Sequence, residues 1–462
     1  MILKQFYLPC LAHASYLIGD ESSATAAVVD PQRDIDQYLA FAREHALQIR
    51  HVFLTHFHAD FLAGHLELRD RVGATIYLGA AAKADYAFTP LRDGEVLEFG
   101  RVRLKILETP GHTPESISIL VYDLNAADSR PHAVLTGDTL FIGDVGRPDL
   151  APDLTPQQLA AMLYDSLYQK LIPLGDDVEV WPAHGAGSLC GKSMRAELQS
   201  TIGQERALNY ALRARSKEEF VRLLTAELPE RPGYFALDAA INRSGAPALT
   251  DLPPIALLSP EELIAKQAAG AVVLDTRPAP QFFAGHIPGA VHIALAGQYA
   301  SWAATILGLD KEIILVAEDE EQLDQSRTRL ARVGIERVIG ALDGGMQSWG
   351  SRKMAAIDQI SVEDLHRQLT DIQVIDVRRE SEWEEGHIEG AHLMALHVLE
   401  TKLASLDRDR PVAVHCKGGY RSAIAASLVQ RAGFQNVRNV TGGFDAWRAC
   451  GLPEIREKLV SA

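Results

Sequence analysis

The apolar positions of the first 250 residues fall into short runs, SYLIG, AAVVD, HVFLTH, TIYLG, RLKILETP, SISILVY, HAVLTGD and VEVWPAH, separated by Gly, Pro, Asp and polar residues. Short β-branched runs bounded by turn formers predict strands, and the segment DIDQYLAFAREHA has the spacing of an amphipathic helix. Many strands with helices between some of them predict a layered α/β sandwich. The stretch from Gly191 to about Leu228 reads as mainly helical, and SGAPALTDLPP, Ser244 to Pro254, has the small-residue and proline content of a linker. Beyond the linker the pattern repeats. DTRPAPQFFAGHIPGAVHI from Asp275 aligns with DVRRESEWEEGHIEGAHLM from Asp376 at an offset of 101 residues, and RVGIERVIGALDGGMQSW aligns with RAGFQNVRNVTGGFDAW, ending at Trp349 and Trp447. In each copy strand runs (VVLDT, IILVA; QVIDV, PVAVHC) alternate with helical patterns, and Ser259 and Ser361 stand where a serine oxygen caps a first turn. Each repeat is therefore expected to be a small parallel-sheet α/β domain.

A chain of 462 residues exceeds what one core usually supports. The pattern divides it into residues 1–250, 256–355 and 357–462. With 47% hydrophobic and 23% charged residues the composition is that of a globular protein able to bury several cores. A formal charge of −16 argues against a nucleic-acid partner, which needs a basic face. No membrane partner is expected either, because no run reaches the ~18 apolar residues of a span. The opening MILKQFYLPCLAHASYLIGD has no signal-peptide pattern, which predicts a cytoplasmic protein. Four cysteines, Cys10, Cys190, Cys416 and Cys450, are too sparse for a disulfide framework or a CxxC site.

Candidate chemistry changes the picture most at THFHADF, Thr55 to Phe61, where a strand-like run delivers His56, His58 and Asp60 onto a loop. His112 in TPGHTPES, Asp138 in LTGDTLF and His184 in WPAHGAG each follow a strand-like run and stand beside Gly or Pro. In this order the strings resemble the metallo-β-lactamase superfamily, whose fold is an αββα sandwich, over most of residues 1–190. TGDTLFIGDVGRPDL, Thr136 to Leu150, resembles its persulfide dioxygenase branch. Hydrolases of the superfamily usually carry H-x-H-x-D-H, but position 61 is Phe61, whose ring has no lone pair for a second metal. The resemblance implies one Fe(II) per chain on His56, His112 and Asp138, a two-histidine, one-carboxylate face with open positions for substrate and O₂. It places His58, Asp60 and His184 around that centre, orienting ligands, water or product.

The activity it implies is oxidation of a small-thiol persulfide by O₂ to sulfite and a thiol. GAGSLCGK after His184 is more similar to the bacterial fusion proteins of this branch than to the glutathione-using enzymes, which leaves coenzyme A, cysteine or another small thiol open. Arg147 stands either to steer an anionic substrate or in an ion pair with Asp144, Asp149 or Asp153, and Tyr16 and Lys192 are weaker candidates. Cys190 is either a sulfur acceptor or a buried inert thiol. The alternative is a zinc thioester hydrolase resembling glyoxalase II, with metal-bound hydroxide as nucleophile.

In the last repeat PVAVHCKGGYRS places Cys416 between a strand and a helical pattern, with spacing C-x-x-x-x-R ending at Arg421. A loop of this length can turn backbone N–H groups onto one sulfur, and the helix start adds positive potential. Gly418 and Gly419 allow the turn. The spacing is one residue shorter than that of cysteine phosphatases. Together with DVR and EGHIEGAH it resembles the rhodanese family over 357–462, which implies Cys416 as persulfide carrier and Lys417, Gly418, Gly419, Tyr420 and Arg421 as its loop. In the first repeat the same position falls on Ala317 or Glu318 within ILVAEDEEQLDQS. Neither residue can hold sulfur, and the surrounding acids repel anions, so that copy is expected to serve as a scaffold or a homo-oligomerisation surface. Sulfite and thiosulfate are the expected partners of Cys416, with the direction of sulfur flow open.

Overall fold

The computed structural model describes residues 1–126, 130–226, 228 and 230–456. The end of the last expected domain, 457–462, lies outside them. The chain forms two units: Met1–Pro253 together with Leu330–Gly334, and Pro254–Arg329 together with Ile335–Ala462.

In the first unit the apolar runs become two six-stranded sheets. One holds β1 (Ile2–Leu8), β2 (His13–Asp20), β3 (Thr25–Val29), β4 (Gln48–Phe53), β5 (Thr75–Gly79) and β6 (Thr89–Leu91) in sequence order. The other holds β7 (Val96–Phe99), β8 (Val102–Glu108), β9 (Ile117–Asp123), β10 (Ala133–Gly137), β11 (Glu179–Pro182) and β12 (Ser200–Thr201), again in order along the sheet. Pairing is antiparallel from β1 to β3 and parallel from β3 to β6.

Side chains alternate across a strand, so each strand feeds two layers. Ile119, Val121, Ala133 and Leu135 point into the core between the sheets with Val29, Phe53 and Tyr77. Leu120, Val134 and Val180 point the other way, against Leu163, Ile202 and Phe220 of an outer helical layer. On the far side the helices Asp36–Glu44 and His65–Val72 bury Tyr38, Ala42 and Leu68. The result is the expected αββα sandwich.

Gly191 to Leu228 is less helical than its composition predicts. Helices cover Ile202–Leu208 and Lys217–Thr225, while Ser200–Thr201 is strand and 191–199 is irregular. The buried Asp144 carboxylate accepts from the backbone N–H groups of Lys192 (2.5 Å) and Ser193 (2.6 Å), holding this stretch in a loop.

The second unit contains two five-stranded parallel sheets of identical order. The first is β13 (Leu257–Leu258), β17 (Val338–Leu342), β16 (Ile313–Val316), β14 (Val272–Asp275) and β15 (Val291–His292). The second is β18 (Asp358–Ile360), β22 (Val437–Val440), β21 (Val412–His415), β19 (Gln373–Asp376) and β20 (His392–Leu393). The repeated motifs do the same work in both. Arg277 pairs with Asp275 and Arg378 with Asp376 at 2.6 Å, and each arginine also donates to a glycine carbonyl, Gly285 or Gly386. His286 stacks on Phe282 at 3.7 Å and His387 on Trp383 at 3.6 Å, so the histidine of each G-H-I string is a packing residue. Ser259 makes a full capping box with Glu262, and the Ser361 hydroxyl accepts from Asp364 N–H.

Phe220 is fully buried in the outer helical layer. Phe220→Ala is expected to destabilise the first unit by about 3–5 kcal/mol, whereas Ser259→Ala is expected to cost the second unit only ~1 kcal/mol. Chemical denaturation of the full chain, followed separately in each unit, checks both.

Candidate metal centre and sulfur-carrying loop

Four strands end at one edge of the sandwich. β4 is followed by His56, β8 by His112, β10 by Asp138 and β11 by His184. The ligand atoms of His56, His112 and Asp138 lie within 4.8 Å of one another, as do those of His58, Asp60 and His184, and all six residues are buried. The Asp138 carboxylate stands between the sets: Oδ2 is 3.8 Å from His56 Nε2 and 3.4 Å from His112 Nε2, and Oδ1 is 3.6 Å from His184 Nε2.

The other ring nitrogens fix how these imidazoles carry their proton. The Thr55 hydroxyl donates to Asp30 (2.8 Å) and so accepts from His56 Nδ1–H (3.0 Å). His112 Nδ1 donates to the Arg147 carbonyl (2.9 Å) and His184 Nδ1 to that of Ala12 (3.3 Å). Each Nε2 is left with a lone pair, buried and without a protein hydrogen-bond partner, as are both Asp138 oxygens. Lone pairs and carboxylate oxygens converging without donors fit a cation.

Burial sets the charge states. It lowers the pKa of His112 and His184 to about 4 and depresses those of His56 and His58 strongly, so the imidazoles are neutral ligands near pH 7. Burial raises Asp30 and Asp60 to about 6, and burial with the neighbouring Asp60 raises Asp138 well above the carboxylate range. A metal displaces protons from such groups.

Backbone constraints hold the loops at this distance. A Cβ on Gly146 would stand 2.0 Å from the Asp138 carbonyl oxygen and 3.0 Å from His112 Nδ1, so only glycine fits there. Asp30, at φ 50°, occupies the left-handed region while its carboxylate accepts from Thr55 N–H (2.7 Å) and hydroxyl.

In the second unit Cys416 directly follows β21 and is buried. Gly419 N–H donates to its Sγ at 3.1 Å, and Ser422 Oγ lies 3.7 Å from it. The carbonyls of Cys416 and Lys417 point the other way, accepting from Phe444 N–H (2.8 Å) and Asp445 N–H (3.0 Å) of the helix Gly443–Ala449. Arg421, at the start of the helix Tyr420–Arg431, is held by both oxygens of Glu382 (2.6 and 2.7 Å). Burial would raise the pKa of Glu382, but Arg421 outweighs it and holds the carboxyl at about 2.

Residues 8–184 match the metallo-beta-lactamase superfamily, and residues 259–352 and 361–450 each match the rhodanese-like domain. The chain is 31% identical over 228 residues, 48% of its length and 80% of the relative's, to "Persulfide dioxygenase ETHE1, mitochondrial" of Bos taurus. It is 34% identical over 185 residues, 39% of its length and 67% of the relative's, to "Hydroxyacylglutathione hydrolase cytoplasmic" of Arabidopsis thaliana. A crystal structure of a metallo-beta-lactamase from Staphylococcus aureus superposes with a TM-score of 0.67 at 30% identity, covering 74% of this chain and 98% of that one. The chain belongs to the persulfide dioxygenase branch of the metallo-β-lactamase superfamily, fused to two rhodanese-like domains.

Within the metallo-β-lactamase domain Phe61 fills the position of a further histidine, its ring 4.4 Å from that of His58 and 4.0 Å from that of His13. Arg147, considered for steering substrate, is buried and engaged: its guanidinium pairs with Asp149 (2.7 Å) and donates to the Leu189 carbonyl (3.1 Å). What it offers the centre is its own carbonyl, which orients His112. Tyr16 donates to the Pro182 carbonyl, two residues before His184, and the Lys192 backbone is tied to Asp144. Cys190 is buried, but it lies beside the centre. Its sulfur is within 4.8 Å of the ligand atoms of Asp138 and His184, and burial with Asp60 and Asp138 raises its pKa strongly.

Sequence reasoning missed His13, Asp30, Thr55 and Asn242. His13 lies between the Asp30 and Ala183 carbonyls, Nε2 3.0 Å from one and Nδ1 3.1 Å from the other, and as a neutral imidazole donates to one of them. The Asn242 amide, on the helix Phe235–Ser244, donates to the carbonyls of His58 (2.8 Å) and Phe61 (2.7 Å) and accepts from Ala63 N–H (2.9 Å). In the first rhodanese-like domain Ala317 stands where Cys416 does: each follows its strand, and a Cβ on Gly345 or Gly443 would meet the carbonyl of Ala317 or Cys416. Glu318 faces outward, bonded to Gln281 and Gln322.

Asn242→Leu keeps the size but removes all three bonds to the metal loop. Metal affinity, measured by competition with a chelator, is expected to fall about 10–100-fold, with little change in helix content.

Proposed function

We propose that this protein is an iron-dependent persulfide dioxygenase coupled to a sulfurtransferase. The supporting observation is the set of two imidazole Nε2 lone pairs and one carboxylate, His56, His112 and Asp138, buried together without protein partners. A single Fe(II) held there would supply open coordination positions for the persulfide sulfur and O₂. The chain's own residues do the rest. Thr55 and the Arg147 carbonyl fix the ligand tautomers, and the buried rings of Phe61, against His58, and Phe141, against His184, exclude bulk water from the centre. His58, Asp60 and His184 line the adjoining side, where they orient water and hold product protons. In balance, R–S–SH, O₂ and water give R–SH and sulfurous acid, which ionises to sulfite.

On the last rhodanese-like domain Cys416 carries a sulfane sulfur, stabilised by Gly419 N–H and the start of the following helix. Cys416–S–SH and hydrogen sulfite give the Cys416 thiol, thiosulfate and a proton. In reverse, thiosulfate loads Cys416 and the resulting persulfide is passed to a small thiol for oxidation. A cytoplasmic site of action suits the four cysteines, all free. Among the described residues no helix is long and apolar enough to cross a membrane.

The second triad, His58, Asp60 and His184, favours one other reading. With Zn occupying both sets the domain would be a thioester hydrolase, the chemistry named for the Arabidopsis relative. Phe61 in place of a further ligand weighs against it.

The test is O₂ uptake by anaerobically iron-loaded protein on adding glutathione, cysteine and coenzyme A persulfides, with sulfite and thiosulfate quantified for wild type and Cys416→Ser. Uptake is expected in both, with thiosulfate lost and sulfite raised in the variant. No uptake with any persulfide, together with thioester hydrolysis by the zinc-loaded protein, would replace this reading with the hydrolase.

A further inference from the structure

The helix that begins at the Cys416 loop, Tyr420–Arg431, is held by the repeat that has lost its cysteine. Three residues on it reach across. The Tyr420 hydroxyl donates to the Ala294 carbonyl at 3.0 Å. Ser427 Oγ accepts from His292 N–H at 3.0 Å, which occupies a backbone donor of β15, the edge strand of that repeat's sheet. Gln430 pairs with His286 Nε2 and donates to the Ala356 carbonyl, each at 2.8 Å. Positions 420, 427 and 430 share one face of the helix at its 3.6-residue period.

The receiving surface is itself braced. Arg329, within the cysteine-less repeat, donates to the carbonyls of Leu295 and Gly297 and lies over the Tyr299 ring at 5.4 Å. The carbonyls of Ala294, Leu295 and Gly297 are thus divided between Tyr420 and Arg329. Gly297, at φ +68°, leaves room for the Tyr420 ring: a Cβ there would stand 3.4 Å from it. Tyr420 is therefore fixed at hydroxyl and ring by a shelf that belongs to the other repeat. Its chain neighbours are Gly419, whose N–H meets Cys416 Sγ, and Arg421, which is clamped by Glu382.

We propose that the cysteine-less repeat is the positioning element of the Cys416 loop, and that Tyr420 is the positioning residue through which it acts. The shelf fixes the first turn of the helix, and with it the direction of the N–H group that faces the sulfur. The inference rests on the reading of Cys416 as a sulfur carrier, and it explains why a repeat without the reactive residue keeps a fully formed fold beside one that has it.

The experiment uses the full chain with three mild variants: Tyr420→Phe, which removes only the hydroxyl, Arg329→Gln, which loosens the shelf from the far side, and Gln430→Ala, which releases the helix nearly three turns on. The pH dependence of Cys416 alkylation by iodoacetamide is followed on its own peptide by mass spectrometry. Sulfur transfer from thiosulfate to cyanide gives kcat and KM, and thermal unfolding reports fold. Tyr420→Phe and Arg329→Gln are each expected to shift the alkylation midpoint to higher pH and to lower kcat by about two- to tenfold, the worth of one net hydrogen bond, with KM nearly unchanged. Variants that melt lower but keep the wild-type alkylation profile and kcat would show that the contacts only hold the repeats together, which overturns the proposal. Sulfur transfer that survives Cys416→Ser would instead remove the carrier reading, while the alkylation profile still decides whether the shelf positions the loop.

Discussion

Imidazole lone pairs aimed at one another across a buried carboxylate repel unless a positive charge stands between them. His56, His112 and His184 are each forced into that state by the proton on the opposite ring nitrogen, which Thr55, the Arg147 carbonyl and the Ala12 carbonyl take up. The local architecture around the centre is shaped by this constraint. Strand ends from both sheets bring the ligands together, Asp30 is held at positive φ to reach Thr55, and Gly146 lets a second loop close to within contact of Asp138. The cost of assembling such a site from groups that would each prefer water is met by the large core between the sheets, which fixes the strand ends independently of the loops.

The two repeats separate what a fold needs from what a reaction needs. Both keep the aspartate–arginine pair and the histidine stacked on an aromatic ring four residues back, and both have the same strand order. These features tie a strand end to the next helix and persist whether or not chemistry follows. The reactive loop does not persist. From Ala317 the first repeat enters its helix at Glu320, whereas the second runs from Cys416 to Tyr420, one residue further, with Gly419 at φ +117° turning its N–H onto the sulfur. On the proposed reading of Cys416 as a sulfur carrier, what the first repeat lacks is that extra residue and a thiol.

The candidate metal ligands were legible because each comes soon after an apolar run, with His112, Asp138 and His184 also beside Gly or Pro, so their strand-end placement follows from pattern alone. The repeat was legible for the same reason, as was Cys416. Asn242 was not, because its three partners lie about 180 residues away and nothing in AINRSG marks an amide that bonds a distant loop. Asp30 and Thr55 read as ordinary strand-end residues until the register of β3 and β4 sets them side by side. The position equivalent to Cys416 was ambiguous between Ala317 and Glu318 because the two loops differ in length, so alignment from either side gives a different answer. In 191–199 helix-forming residues are overruled by Asp144, which captures two of the N–H groups a helix would use.

Asn242 also sets an order of events during synthesis. The ribosome releases the last candidate ligand, His184, well before the helix Phe235–Ser244, so the nascent chain holds a complete ligand set with its metal loop still unfastened. At roughly 5–20 residues per second that interval lasts on the order of several seconds. Any ion bound in that interval meets a loop that still lacks its three bonds to Asn242.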